Sequence, residues 1–299
     1  MSISPFLTIL TPTYNRGHLL GNCFASLQSQ TDHDFEWIIV DDGSTDNTSH
    51  VVSQFQTDLF LVWYLQKENG GKHTALNEAL PHIRGKYVLI LDSDDRLTRD
   101  AVSRIHAIWK PYEDDPSVAV ITFLKGASRE EPNCTAAVTH EAVDYFHCKR
   151  HIRRSCDCCE VIRADVMKSF PFPVFAGETF LSEAALWFRV AIEYQYVYRN
   201  EVLYLCQYLE DGLTRSGRSL LLRNPKGGMY CAELAMHPKN RLSLRIKNGI
   251  LFCCYGFFAG LSVRQILKQA KSHPISFLCL VPGWLLHCHW HRKYLRASQ

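Results

Sequence analysis

No aspartate or glutamate occurs between residues 241 and 299 of this 299-residue chain. That stretch carries nine lysines and arginines, leaving 24 bases against 30 acids elsewhere, so a net charge of +3 conceals an acidic body with a basic tail. Its two apolar runs, 249–263 and 275–290, fall short of the ~20 residues a bilayer-spanning helix needs, and Pro282 and Gly283 interrupt the second. A charged start, apolar core and cleavage site are missing from the N-terminus, where residues 6–10 already read as a strand. No secretory leader is therefore expected, and the twelve cysteines are expected to be cytosolic thiols. Paired C-x₂₋₄-C spacing is lacking as well: Cys156, Cys158 and Cys159 form C-x-C-C, with Cys148, His147 and His151 nearby, which suits buried thiols better than structural zinc. There is no internal repeat, and 46% hydrophobic against 21% charged residues excludes general disorder.

What is present is an alternation. Residues 6–10, 36–40, 59–65, 87–91 and 118–123 are short β-branched and aromatic runs that predict strands. Between them, 18–30, 48–56, 72–84 and 99–112 have helical length and spacing. Repeated strand-helix-strand units predict an α/β fold with a mostly parallel sheet flanked by helices, and such sheets bind ligands beyond the strand C-termini. Further on, 126–160 gives little pattern, 181–191 predicts an amphipathic helix and 202–209 a strand. The expected division is 1–240 as a catalytic domain (1–125 and 126–240 as its halves) and 241–299 as a helical extension.

The residues after each strand converge on one edge. After the first come Thr13, Tyr14, Asn15 and Arg16; after the second, Asp41, Asp42 and Gly43; after the fourth, Asp92, Ser93, Asp94 and Asp95. Three carboxylates in four positions repel one another, and burial raises the pKa of at least one unless a cation or hydrogen-bond donors compensate. One Asp would serve to cap the next helix, but three are more than a cap requires. Gly70 and Gly71 precede a helix start, where backbone N–H groups attract phosphate and Lys72 adds a point charge.

In this order, "PTYNR", "IIVDDGSTDNT", "NGGKHTALNEAL" and "YVLILDSDDRL" resemble the nucleotide-sugar half of family 2 glycosyltransferases, which have the GT-A fold, and "FLSEAALWFRVA" resembles that family's acceptor-side helix. The resemblance covers roughly residues 6–215. It implies an inverting, metal-dependent transferase that uses Mn²⁺ or Mg²⁺ held by oxygen ligands. It implies Asp94 and Asp95 as metal and ribose ligands with Asp92 in support, Asp42 and Tyr14 at the uracil base with Thr13 beside them, and Lys72 at the diphosphate. Many members carry an Arg where this chain has Leu76, so Lys72 would take over that contact. The family's acidic pair is reduced here to Ser182-Glu183, making Glu183 the candidate general base and Glu178 an acceptor-site or supporting group. Tyr208, Glu210, Asp211, Gly212 and Thr214 fall where relatives close over substrate. The Q-x-x-R-W of processive synthases is absent, so a single addition is expected.

The expected partners are a nucleotide-sugar donor, most simply UDP-linked, a lipid-linked or growing saccharide acceptor in polysaccharide assembly, and a membrane surface. Basic clusters flanking short apolar segments fit interfacial helices on the cytoplasmic leaflet. The alternative is a helical hairpin packed on protein, including a homo-oligomer partner. A nucleic-acid role is not expected, because the bases are interleaved with apolar runs. Two rival functions stay open: a non-catalytic nucleotide-sugar-binding module, and a sugar nucleotidyltransferase whose Gly-rich N-terminal loop is missing here.

Overall fold

The computed structural model describes residues 4–134, 141–146, 158–206 and 213–295. The chain forms two compact units, Met1–Phe172 with Val190–Gln207, and Pro173–Arg189 with Tyr208–Gln299.

Strands apolar on both faces need cover on both sides. In the first unit β1 (Leu7–Thr13) and β2 (Phe35–Asp41) are buried at every position, whereas β3 (Leu61–Gln66) is half-buried or exposed along its length and lies at the sheet's edge. With β4 (Tyr87–Ile90), β5 (Arg96–Leu97), β6 (Val118–Gly126), β7 (Cys158–Arg163) and β8 (Gln195–Leu205) they make one eight-stranded sheet, ordered β3-β2-β1-β4-β7-β6-β8-β5. Its helices are α1 (Gly17–Gln28), α2 (Thr48–Ser53), α3 (Lys72–Ala79), α4 (Ala101–Trp109) and α5 (Ala164–Ser169). The core gathers Leu20, Trp37, Ile39, Tyr87, Leu89, Ile105 and Trp109.

The expected parallel sheet is found in β3-β2-β1-β4, where Thr13 lies opposite Asp41, and Asp41 opposite Gln66. Beyond β4 the sheet is mixed. The strand β7, which the thiol-rich sequence around 156–159 obscures, runs antiparallel to both β4 and β6. Cys158 and Cys159 are free thiols buried in it, as expected; Cys156 lies outside the described residues. The expectation of thiols throughout fails at Cys134, which is disulfide-bonded.

An acid also sits at the other end of the parallel strands. Glu36, 1% exposed, accepts from the Thr8 hydroxyl at 2.7 Å, the Arg84 backbone N–H at 2.8 Å and the Arg84 guanidinium at 2.8 Å. A buried carboxylate persists only when paired and hydrogen-bonded, and here every demand is met inside the protein.

The second unit is helical. It contains the start of α6 (Ala184–Glu193), then α7 (Leu213–Arg223), α8 (Pro225–Ala235), α9 (Leu242–Phe258), α10 (Val263–Gln269), α11 (His273–Leu278) and α12 (Leu280–Trp290). Met229, Ala232 and Met236 share a core with Phe252, Cys253, Tyr255, Ile266 and Trp290, so residues on both sides of the charge break at 241 build it. Gly283 lets α12 lie directly on α9, since a Cβ there would come within 2.5 Å of the Cys253 Cβ. Among the described residues no helix is long and apolar enough to cross a membrane.

Candidate active site

Parallel strands that end at one level deliver their following loops to one edge, and in the first unit these loops are tied to each other. Asn15, with a positive φ of 52°, accepts through its side chain from the Thr45 N–H at 2.7 Å, while its own N–H donates to the Ser44 hydroxyl at 2.8 Å. This fixes the segment after β1 on the segment after β2. Tyr14 beside it is 47% exposed, free to offer its ring to a ligand. The neighbouring Thr13 hydroxyl is buried and has no hydrogen-bond partner among the described residues. Such an orphan is uncommon in a folded interior and marks a place where a ligand group would complete the bonding.

Asp41 and Asp42 have separate duties. Asp41, fully buried, accepts from the Ser44 N–H at 2.8 Å and from the Tyr64 hydroxyl at 2.5 Å, holding the turn. Asp42, 3% exposed, accepts from Lys67 Nζ at 2.8 Å and from the Gly70 and Gly71 N–H groups at 3.0 and 2.6 Å. The two glycine amides that the sequence offers to phosphate are therefore spent on Asp42. Gly71 adopts φ 94°, a conformation only glycine enters without strain, and this aims its N–H at the carboxylate. Lys67 was not singled out from sequence. Its signal is a base directly after a strand and just before Asn-Gly-Gly, and it also reaches the Thr74 hydroxyl at 2.9 Å.

The acids after β4 lie between two lysines and a tyrosine. Lys72 Nζ pairs with Asp92. Tyr204, buried in β8, accepts from the Asp92 N–H at 2.9 Å and donates to the Asp95 carboxylate. Lys125 Nζ stands 4.4 Å from the centre of the Tyr204 ring. Burial alone would raise Asp92, but the charges of Lys72 and Lys125 together with the hydrogen bonds it accepts hold the carboxyl below its ordinary value. Asp94 and Asp95 go the other way. Burial and then the Asp92 charge push Asp94 up, and the same two causes bring Asp95 to about 7. Tyr204 and Lys125 were missed from sequence because both come from strands far along the chain.

In the second unit, Glu178 accepts from the Lys226 and Gly227 N–H groups at 2.7 and 2.8 Å, and Asn224 accepts in return from the Thr179 and Phe180 N–H groups at 2.8 and 3.1 Å. Glu178 thus caps the N-terminus of α8, the end where a negative charge is most favourable. Glu183 is half-buried at the start of α6, where its carbonyl accepts from Leu186 and Trp187. The Ser182 hydroxyl accepts from the Ala184 N–H at 3.3 Å. Of the segment after β8, residues 208–212 and the Thr214 side chain lie outside the described residues.

Asp94 and Asp95 fit a divalent cation. Both are oxygen donors, both are driven toward protonation by burial and then by the Asp92 charge, which a bound cation would offset, and Mg²⁺ or Mn²⁺ needs only one or two protein carboxylates. Among the described residues no group of three or more His, Cys, Asp or Glu side chains is placed to hold a metal ion.

Residues 8–170 match the family model "Glycosyl transferase family 2". A relative, the putative teichuronic acid biosynthesis glycosyltransferase TuaG of Bacillus subtilis, is 36% identical over 102 residues, 33% of this chain and 40% of TuaG, so the chain aligns with less than half of it. The S. aureus TarS 1–349 structure in complex with UDP superposes with a TM-score of 0.63 at 15% identity, over 98% of this chain and 92% of that one. The mannosyltransferase PcManGT from Pyrobaculum calidifontis, in complex with GDP-Man and Mn²⁺, does so at 0.58 and 17%, over 98% and 88%. These likenesses show the fold, and it is the one expected from the strand and motif order.

Proposed function

The chain belongs to glycosyl transferase family 2, and on that premise we propose that it moves one sugar from a UDP-sugar to a hydroxyl of a lipid-linked or growing saccharide, inverting the anomeric carbon. The observation that carries the reading is the charge pattern after β4: Asp92 is neutralised by lysines, whereas Asp94 and Asp95 are held above their ordinary range a few residues away. A site of that kind favours a cation and the diphosphate that accompanies it. The orphan Thr13 hydroxyl and the exposed Tyr14 ring offer a hydrogen bond and a stacking face for the nucleoside. Asp42 acts at the base as well, directly or through the loop it holds with Lys67. UDP as the donor nucleotide is supported by the TarS complex, and polysaccharide assembly by the name of TuaG.

In the reaction Glu183 takes the proton of the acceptor hydroxyl as that oxygen forms its bond to the anomeric carbon. The carbon–oxygen bond to the diphosphate breaks, and the leaving group departs with the electron pair. Bound at Asp94 and Asp95, Mn²⁺ or Mg²⁺ would neutralise charge on that diphosphate. Lys72, placed beside Asp92, supplies a second cation there. Glu178, bound up with α8, supports the helix framework of the second unit.

A panel of UDP-sugars with Mn²⁺ tests the proposal. Glu183→Gln is expected to keep donor affinity in calorimetry and to lose transfer, and wild-type turnover in that variant would remove Glu183 as the base. Because the acidic pair is reduced to Ser182-Glu183, the reading as a binding module is the one to defeat: donor binding by the wild type with no transfer to any acceptor would establish it instead.

A further inference from the structure

A helix packed on a protein by one side normally presents polar residues on the other. α11 and α12 do not. Their inner side, with Ile275, Cys279, Gly283 and Trp290, is buried against the second unit's core, notably α9. Their outer side is apolar too. Phe277 is 66% exposed, Leu278 75%, Val281 67%, Trp284 51% and Leu285 56%. These positions recur at helical spacing, so they form one continuous stripe of large apolar side chains facing out. On α9, Leu242 and Ile246 are exposed one turn apart, and the Ile246 carbonyl meets the Cys279 thiol, so this second apolar pair adjoins the stripe's origin.

Charge decides what covers this face. Lys271 precedes the stripe, Arg292 and Lys293 follow it, and Arg241 and Lys247 flank Leu242 and Ile246, all but the apolar residues being basic and exposed. No acid lies in 241–299 itself, and Glu233 from outside it meets Lys271. A second copy of the chain would bring the same positive charge against itself, whereas an anionic lipid leaflet attracts it, each base near the surface contributing about 1 kcal/mol. The indole of Trp284, apolar with one polar N–H, suits the headgroup boundary. The helices are too short to span, so the face lies on the surface and does not cross it.

We propose that the outer face of α11–α12, with Leu242 and Ile246, is a docking surface for an anionic bilayer. It deepens the reading of a lipid-linked acceptor without depending on catalysis. The full chain is sedimented with vesicles of phosphatidylcholine containing phosphatidylglycerol, and with phosphatidylcholine alone. Wild type should pellet with the anionic vesicles and be released by high salt. The double substitution Leu278→Ser/Trp284→Ser should lower the partition coefficient at least ~10-fold, and Arg292→Gln/Lys293→Gln should lower it several-fold while weakening the salt effect. Each variant must show the wild-type thermal unfolding curve; because these side chains are exposed, it should. Wild type left in the supernatant, or apolar variants that pellet as well as wild type, would overturn the proposal. So would a concentration-dependent dimer, seen by light scattering and abolished by Leu278→Ser/Trp284→Ser, since the second copy would then be the occupant. Transfer to a soluble acceptor, assayed without vesicles, reports on the proposed activity alone.

Discussion

Asp95→Asn should stabilise the metal-free protein while abolishing its response to Mn²⁺. Asp95 is 7% exposed and its folded carboxyl is raised from 3.8 to about 7, first by burial and then by the Asp92 charge. Between these two values the unfolded chain has lost its proton while the folded chain keeps it, so wild-type stability falls steadily as pH rises across that window. At roughly 1.4 kcal/mol per pH unit the accumulated loss is about 4 kcal/mol at pH 8 and under about 2 kcal/mol at pH 5. Asparagine carries no charge and can still accept from the Tyr204 hydroxyl, so it escapes most of this loss.

The assay is urea unfolding of EDTA-treated wild type and variant at both pH values. The stabilisation by Asp95→Asn should be larger at pH 8 than at pH 5 by about 2 to 3 kcal/mol, whatever constant difference the new side chain introduces. Mn²⁺ with UDP should then raise the wild-type midpoint and leave the variant's unmoved. A variant whose difference from wild type is the same at both pH values would refute the reasoning, because the carboxylate would not then be carrying an uncompensated charge.

Three further perturbations separate structural from ligand-directed roles. Lys67→Met removes the cation from a buried acid and should cost about 3 kcal/mol in urea unfolding, with weakened UDP binding in calorimetry as the 67–71 loop loosens. Glu178→Ala leaves the α8 N-terminus uncapped and should lower stability by about 1 kcal/mol, with transfer per folded molecule unchanged if its role is only to support; a lost kcat at full stability would make it an acceptor ligand. Tyr204→Phe removes a hydroxyl shared by Asp92 and Asp95 and should cost about 1 to 2 kcal/mol, with a lower Mn²⁺ affinity in titration.

Much of the fold was legible because local signals agreed with global ones. The apolar runs at 36–40 and 87–91 are buried strands whose following residues are acids, and the sheet's parallel half brings those acids to one edge with β1 between them. What stayed hidden is non-local. Tyr204 meets Asp92 across 112 residues of chain, and nothing near "VLYLCQYL" announces it. β7 was obscured because cysteines amid bases do not read as a strand until a neighbour on each side supplies its ladder. The role of Glu178 was open for the same reason: an acid near one helix start proves to serve another, at Lys226 and Gly227.

The acids of the first unit show why residue type alone could not assign them. Glu36, Asp42 and Asp92 are as chemically plain as Asp94 and Asp95, and several lie at strand ends. Glu36 is satisfied by Arg84 and backbone amides, Asp42 by Lys67 and two glycine amides, and Asp92 by Lys72 with the Lys125 charge nearby. Each partner meets the demand that burial creates, and the carboxylate is held in place by the scaffold. Asp94 and Asp95 remain the two whose ionised forms the fold disfavours. A cation bound there would exchange that penalty for coordination, which makes the strand end after "YVLIL" the place where ligand binding contributes most to the folded state.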